Sequence, residues 1–231
     1  MSNDVLEAVP GPEPGSDPTP EADLDDDVVV LPWWRNPVNL VAIALSLALL
    51  GGAIGYVIGN NRAIPNANDV DVGFLQDMRV HHEQAVQMSF IFLADEGTDG
   101  DLRTIAREIL VGQNMEIGRM IQLLRDYGKP EVNDSDLAMV WMGEPVDVDR
   151  MPGLATQDDI DALVDASGAD ADRIFVQLMS THHEGGVHMA DYAAEHAGTA
   201  EVRLMAEQMA GSQREEIIEM RNLLARSQAE G

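Results

Sequence analysis

Two histidine pairs, His81-His82 and His182-His183, are the residues of this chain best suited to chemistry, and they stand in a repeated frame. Phe74 to Met88 recurs as Phe175 to Met189 at a constant offset of 101. Eight of the fifteen positions are identical: Phe, Gln, Met, both His, Glu, Val and the closing Met. Leu102 to Leu124 recurs as Val202 to Leu224 at an offset of 100, keeping Gln113/Gln213, Glu116/Glu216, Met120/Met220 and the Leu-Leu pair. Imidazole and thioether groups are metal donors. With no cysteine in the chain and few carboxylates in the frame, this donor set suits copper, Cu(I) above all, better than magnesium, calcium or manganese. A different transition metal is the chemical alternative.

The elements that must position these groups are helices. Leu102, Ala106, Ile109, Gln113, Glu116, Met120 and Leu123 step by fours and threes, and so do Val202, Ala206, Met209, Gln213, Glu216, Met220 and Leu223. Each series is one continuous core stripe. The partner stripes are Phe74, Met78, His81, Ala85, Met88 and Phe175, Met179, His182, Gly186, Met189. The pattern predicts helices over 69–95, 99–127, 170–196 and 199–228. A short helix is expected over 156–167, capped at Thr156, and a proline-bearing connection precedes it. Hairpin, long crossover, hairpin predicts an all-α four-helix bundle, and a single long crossover is a ferritin-like trait. In an antiparallel hairpin, residues equally far from the turn share one level. Taking Gly97 as the turn, His81 lies 16 residues back and Gln113 16 forward, with Glu116 about one turn further on. About Gly198, His182 lies 16 back and Gln213 15 forward, so two His, one Gln, one Glu and nearby Met should meet at one depth in each hairpin.

Each candidate has a structural reading beside the functional one. His81 and His182 are either ligands or core histidines hydrogen-bonded to the facing Gln or Glu; duplication beside methionine favours ligands. His82 and His183 lie about 100° around the helix from them, either as further ligands or at a wet edge. Met78, Met88, Met120, Met179, Met189 and Met220 are thioether ligands or core filler. Glu116 and Glu216 are either metal ligands or acceptors that fix a histidine tautomer. Glu83 faces Arg79 at ion-pair spacing, and His188 and His196 have no counterparts in the first repeat. Gly185-Gly186 within a helix costs about 1 kcal/mol per glycine against alanine, which implies close helix approach or room for a ligand. A di-iron centre would need Glu three residues before a ligating His, and none stands there. No nucleophile–base constellation or phosphate loop is present, so a redox enzyme is the least supported reading.

Around this domain the chain has other parts. Val38 to Gly59 is a run of 22 uncharged residues, long enough to cross a hydrocarbon core of about 30 Å, with Trp33 and Trp34 where interfacial aromatics belong. It begins well inside the chain, which favours an uncleaved anchor over a signal peptide. Residues 1–32 carry nine acids and no Lys or Arg, the composition of a disordered tail. Of the formal charge of −27, −19 falls on residues 60–231, which disfavours nucleic acid and anionic lipid as partners. Arg35 and Arg62 flank the span evenly, so the positive-inside rule does not orient it.

Phe-x-x-x-Met-x-x-His-His-x-x-x-x-x-Met, then Gln-x-x-Glu-Ile-x-x-Met-x-x-Leu-Leu, then Met151-Pro-Gly-Leu-Ala155 and a second Met-x-x-His-His together resemble domain-of-unknown-function family three hundred and five, over about residues 69–226. The resemblance implies a ferritin-like helical bundle that is secreted, periplasmic or anchored outside the membrane, with copper binding or copper resistance associated with some members. By position it carries over His81, His82, His182, His183, Met78, Met88, Met179 and Met189, with Gln113, Glu116, Met120 and their repeats. The chain lacks the long Met/His-rich extensions of a copper sponge. The resulting expectation is a tail (1–32), a transmembrane anchor (33–60), a linker (61–68) and an extracytoplasmic bundle (69–231). The bundle divides into repeats over 69–128 and 169–229 with a crossover over 129–168. It would bind copper for sequestration or handover. The alternative is a structural or interaction module with a membrane-protein partner, whose His-Gln-Glu layer is a polar core network.

Overall fold

The structure is a computed structural model that describes residues 32–62 and 66–230. Most of the tail expected over residues 1–32, and part of the expected linker, lie outside the described residues. Within them the chain is predominantly helical, with six α-helices: α1 (Pro37–Arg62), α2 (Asp69–Ala94), α3 (Gly100–Asp126), α4 (Gln157–Asp165), α5 (Ala169–His196) and α6 (Ala200–Glu230). The chain forms two compact units, Met1–Asn61 and Arg62–Gly231.

In the first unit, Pro37 opens α1 with its φ already helical, and Asn36 Oδ1 accepts a hydrogen bond from Val38 N at 3.0 Å. Pro37–Gly59 is long and apolar enough to cross a membrane by length and composition. A signal sequence has the same character.

In the second unit, α2 packs along α3, α5 along α6, and the two hairpins meet through α2 and α5. The starts of these helices follow from local chemistry. Asn68 and Asp71 form a capping box on α2, Asp99 caps α3, and Thr156 with Asp159 forms a second box on α4. Two aspartates in equivalent positions then lock the hairpins end to end. Asp71, near the start of α2, accepts from Gly198 N, Thr199 N and Thr199 Oγ1 in the α5–α6 turn, at 2.7 to 3.0 Å. Asp172, near the start of α5, accepts from Asp99 N in the α2–α3 turn at 3.0 Å. Their offset of 101 is that of the histidines.

The crossover carries an element absent from the helical expectation. Strand β1 (Leu137–Ala138) pairs antiparallel with β2 (Val146–Asp147), with Leu137 opposite Asp147 and Ala138 opposite Val146. Two-residue strands leave no periodic signal in a sequence. Their position is set from α2, where Asp77 Oδ2 accepts from Met139 N at 2.7 Å and from Trp141 Nε1 at 2.8 Å. Burial raises the Asp77 carboxyl above its ordinary range against the opposing pull of these bonds.

The apolar core is divided in two. One cluster contains Phe74, Leu75 and Met78 from α2, Met120 and Leu124 from α3, Met189 and Ala193 from α5, and Val202 and Met209 from α6. The other contains Ala85, Met88 and Phe92, Leu102 and Ile109, Phe175 and Met179, and Met220 from the same four helices. On each of these four helices polar residues stand between the clusters.

Candidate metal centre

Those polar residues form one layer across the unit: His81 and His82 on α2, Gln113 and Glu116 on α3, His182 and His183 on α5, Gln213 and Glu216 on α6. All four histidines are fully buried. Arranged as a hairpin, α2 and α3 bring Glu116 to His82, and His82 Nε2 donates to Glu116 Oε2 at 2.8 Å. The second hairpin repeats this, with His183 Nε2 donating to Glu216 Oε2 at 2.6 Å. His81 and His182 meet between the hairpins with ring centroids 3.8 Å apart. Their Nε2 atoms donate to backbone carbonyls, His81 to Pro152 O at 3.1 Å and His182 to His81 O at 2.9 Å.

These acceptors decide the tautomers. A carbonyl or ionised carboxylate on Nε2 requires the proton there, which in a neutral ring leaves Nδ1 as a bare lone pair. All four Nδ1 atoms are buried without a hydrogen-bond partner, as are Gln113 Oε1 and both amide atoms of Gln213. Burial, and next the neighbouring His82, push His81 down to about 3. Burial and then His81 hold His182 well below the usual imidazole range. Both rings are neutral at pH 7, the state in which imidazole binds metal.

One face of the layer is closed by the crossover. Met151-Pro152-Gly153 runs against α5, where a side chain on Gly185 would place its Cβ 1.8 Å from Pro152 O. Gly153 has φ +86°, and its own Cβ would meet Thr181 O at 2.6 Å. A few residues on, Gln84 of α2 grips Ala155 at both backbone atoms, at 2.6 and 2.9 Å. The sequence assigned no role to Gln84, Pro152, Asp71 or Asp172. A glycine inside a helix and an aspartate pair at the repeat's own offset were the available signals.

The six methionines divide between the two clusters, Met78, Met120 and Met189 on one side of the layer and Met88, Met179 and Met220 on the other. Glu83 pairs with Arg79 as its spacing predicts. Glu184 pairs with Arg221 at 2.6 Å and His188 with Glu144 at 3.0 Å, both at the surface, and His196 is exposed. Among the described residues, no three His, Asp or Glu side chains are grouped so as to hold a metal ion between them.

A family model described as Domain of unknown function (DUF305) matches residues 71–224. Among solved structures, the chain is similar to a DUF305 protein of Streptomyces coelicolor provisionally designated as secreted, at 39% identity and TM-score 0.63, over 68% of this chain and 93% of that one. A DUF305 fragment from Deinococcus radiodurans is 29% identical with TM-score 0.59, over 70% and 99%. CopM in a Cu(I)-bound form is 26% identical with TM-score 0.50, over 68% and 96%, and CopM has also been solved in a Cu(II)-bound form. No curated protein matches the chain.

Proposed function

The chain belongs to the DUF305 family, and from that premise we propose that its large unit is a ferritin-like four-helix bundle that binds copper for sequestration or handover. In this reading residues 1–32 are a tail, 33–60 a single-pass membrane anchor, 61–68 a linker and 69–231 an extracytoplasmic domain. The copper-bound forms of CopM and the secreted designation of the Streptomyces relative support it. The observation that carries it is the set of four buried Nδ1 atoms without a hydrogen-bond partner.

A buried polar atom without a partner costs about 1–3 kcal/mol. Ligating histidines characteristically donate their other ring N–H to a carboxylate or carbonyl, and all four do so here. Cu(I), which soft and imidazole donors suit, accepts few ligands, so a small donor set is compatible with the lack of a larger cluster among the described residues. His81, His82, His182 and His183 would supply the nitrogen ligands, while Glu116 and Glu216 fix tautomers. Met78, Met88, Met120, Met179, Met189 and Met220 flank the layer as candidate thioether donors.

The rival reading is a structural module whose polar layer is a satisfied network. The hydrogen bonds on Nε2 favour it; the orphaned Nδ1 atoms count against it, since a network closed for stability alone leaves no such atoms. Competition of the detergent-solubilised full chain with a chromophoric Cu(I) chelator separates the two. Wild type should take Cu(I) from the chelator, and His81→Ala with His182→Ala should abolish uptake while far-ultraviolet circular dichroism stays helical. Failure of the wild type to compete overturns the copper reading and leaves the structural module.

A further inference from the structure

We propose that Glu116 and Glu216 are the two points at which a cation enters the buried layer, each carboxylate exchanging its hold on the outer histidine for the arriving ion. The inference rests on the metal-binding reading and adds the route. Every donor of the layer is out of reach of water: the four histidines and the six flanking methionines are all 0% exposed. The apolar clusters close the layer above and below. Pro152 and Gly153 close the face against α5.

What remains are the edges within the hairpins. There Glu116 and Glu216 keep 32% and 27% of their side chains in solvent while Oε2 of each bonds a fully buried imidazole. Among the described residues they are the only side chains hydrogen-bonded to the four histidines; the other acceptors are backbone carbonyls. They also differ from four glutamates of the surface that are held in ion pairs. Glu83, Glu131, Glu184 and Glu201 are each tied to an arginine, whereas Glu116 and Glu216 have no Arg or Lys partner among the described residues. Their negative charge is available to a cation. A more acidic cleft lies beside the crossover, lined by Glu83, Asp136, Asp147 and Asp149, but none of these carboxylates bonds a histidine. The layer thus has an outer pair, His82 and His183, connected to the surface through carboxylates. Its inner pair, His81 and His182, meets ring to ring with centroids 3.8 Å apart and is held by backbone. The outer pair receives the ion and the inner pair retains it.

The test is stopped-flow binding of Ag(I), a redox-silent monovalent probe, to the detergent-solubilised full chain, with association and release measured separately. Glu116→Gln or Glu216→Gln alone should lower the association rate about twofold, one entry point being left. The double variant should lower it about tenfold or more, within the range charge exerts on ligand capture. Release should slow as well, because a lost route slows both directions. Unchanged association with faster release would mean that the carboxylates only orient histidines, which overturns the entry role and leaves the binding reading intact. No Ag(I) uptake by wild type overturns both. Two surface charge reversals at residues that bond no histidine guard against misfolding of the glutamine variants. Glu215→Lys, beside one entry point, should slow association more than Asp149→Lys in the acidic cleft. Equal slowing would point to the overall field and overturn the proposal.

Discussion

The two hairpins carry the same chemistry and meet the crossover in opposite ways. Position for position, His82 with Glu116 repeats as His183 with Glu216, and Asp71 clamps the far turn as Asp172 does. Gln84 and Gly185, however, are equivalent by the offset of 101. Gln84 reaches out to hold Ala155 by both backbone atoms, whereas Gly185 has no side chain and admits the Pro152 carbonyl. Asp77 holds Met139 and Trp141; its counterpart is Leu178. The polar layer is thus what the repeats share, and the seat of the crossover is what they do not. A single connecting segment cannot be two-fold symmetric, so the residues it touches cannot be either.

Exchanging these solutions should produce the largest effect. Gly185→Ala gains about 1 kcal/mol of helix propensity, but the new Cβ meets backbone that cannot rotate away. We expect a net loss of about 2–3 kcal/mol in chemical unfolding of the full chain. Gln84→Ala deletes two hydrogen bonds to a half-buried residue and should cost about 1–2 kcal/mol. A cost for Gln84→Ala above that of Gly185→Ala would show that the grip on Ala155, not the close approach at Gly185, fixes the crossover.

The pH dependence of the metal-free protein sharpens the shared half. The unfolded chain protonates its histidines near 6.5, whereas burial keeps His81 neutral down to about 3 and His182 well below the usual range. Between these limits the unfolded state binds more protons, so stability falls as pH drops, by up to about 1.4 kcal/mol per pH unit for each ring. Asp95 and Asp159, whose carboxyls are lowered by the backbone and hydroxyl donors they accept from, lose their contribution only below 3.8. Asp77 and Asp172, raised by burial, act with the opposite sign in acid. Below pH 6.5 the two buried imidazoles lower stability and these two carboxyls oppose them, so substitution is what separates the contributions. His81→Gln and His182→Gln should each flatten the slope there, and by similar amounts. Flattening by one alone would show that the inner pair is not equivalent.

Much of this was legible in the sequence, and the limits are physical. The 3.6-residue stripes and the Asn68, Asp99 and Thr156 caps mark the helices because those signals are local. Counting from Gly97 and Gly198 places His, Gln and Glu at one depth because an antiparallel hairpin fixes level by distance from its turn. Spacing alone did not show that Glu116 bonds His82 while His81 turns to Pro152, since adjacent helical residues face different neighbours. The role of Pro152 was hidden for another reason. Its partner is 71 residues away in sequence, and a backbone carbonyl has no residue type to read. Gly185 and Gly186 were conspicuous as a pair but ambiguous, and the structure gives them different neighbours.

The second of these glycines provides the smallest and most selective break. A Cβ on Gly186 would lie 2.3 Å from Gln213 Oε1. That atom ends a flexible side chain whose amide holds no hydrogen bond, so it can turn aside at little cost. The helix meanwhile gains about 1 kcal/mol. Gly186→Ala, which copies Ala85 of the first repeat, should therefore leave unfolding unchanged or raise stability by up to about 1 kcal/mol, and the reverse change, Ala85→Gly, should lower it by a similar amount. If Gln213 belongs to the metal layer, Gly186→Ala should also weaken Cu(I) retention against the chelator without unfolding the protein. Unaltered retention would place Gln213 outside the layer's chemistry and leave Gly186 a packing residue. Stability and affinity moving in opposite directions at this one position would separate the two uses of the helix, since a side chain serving only the fold has no means of weakening one while strengthening the other.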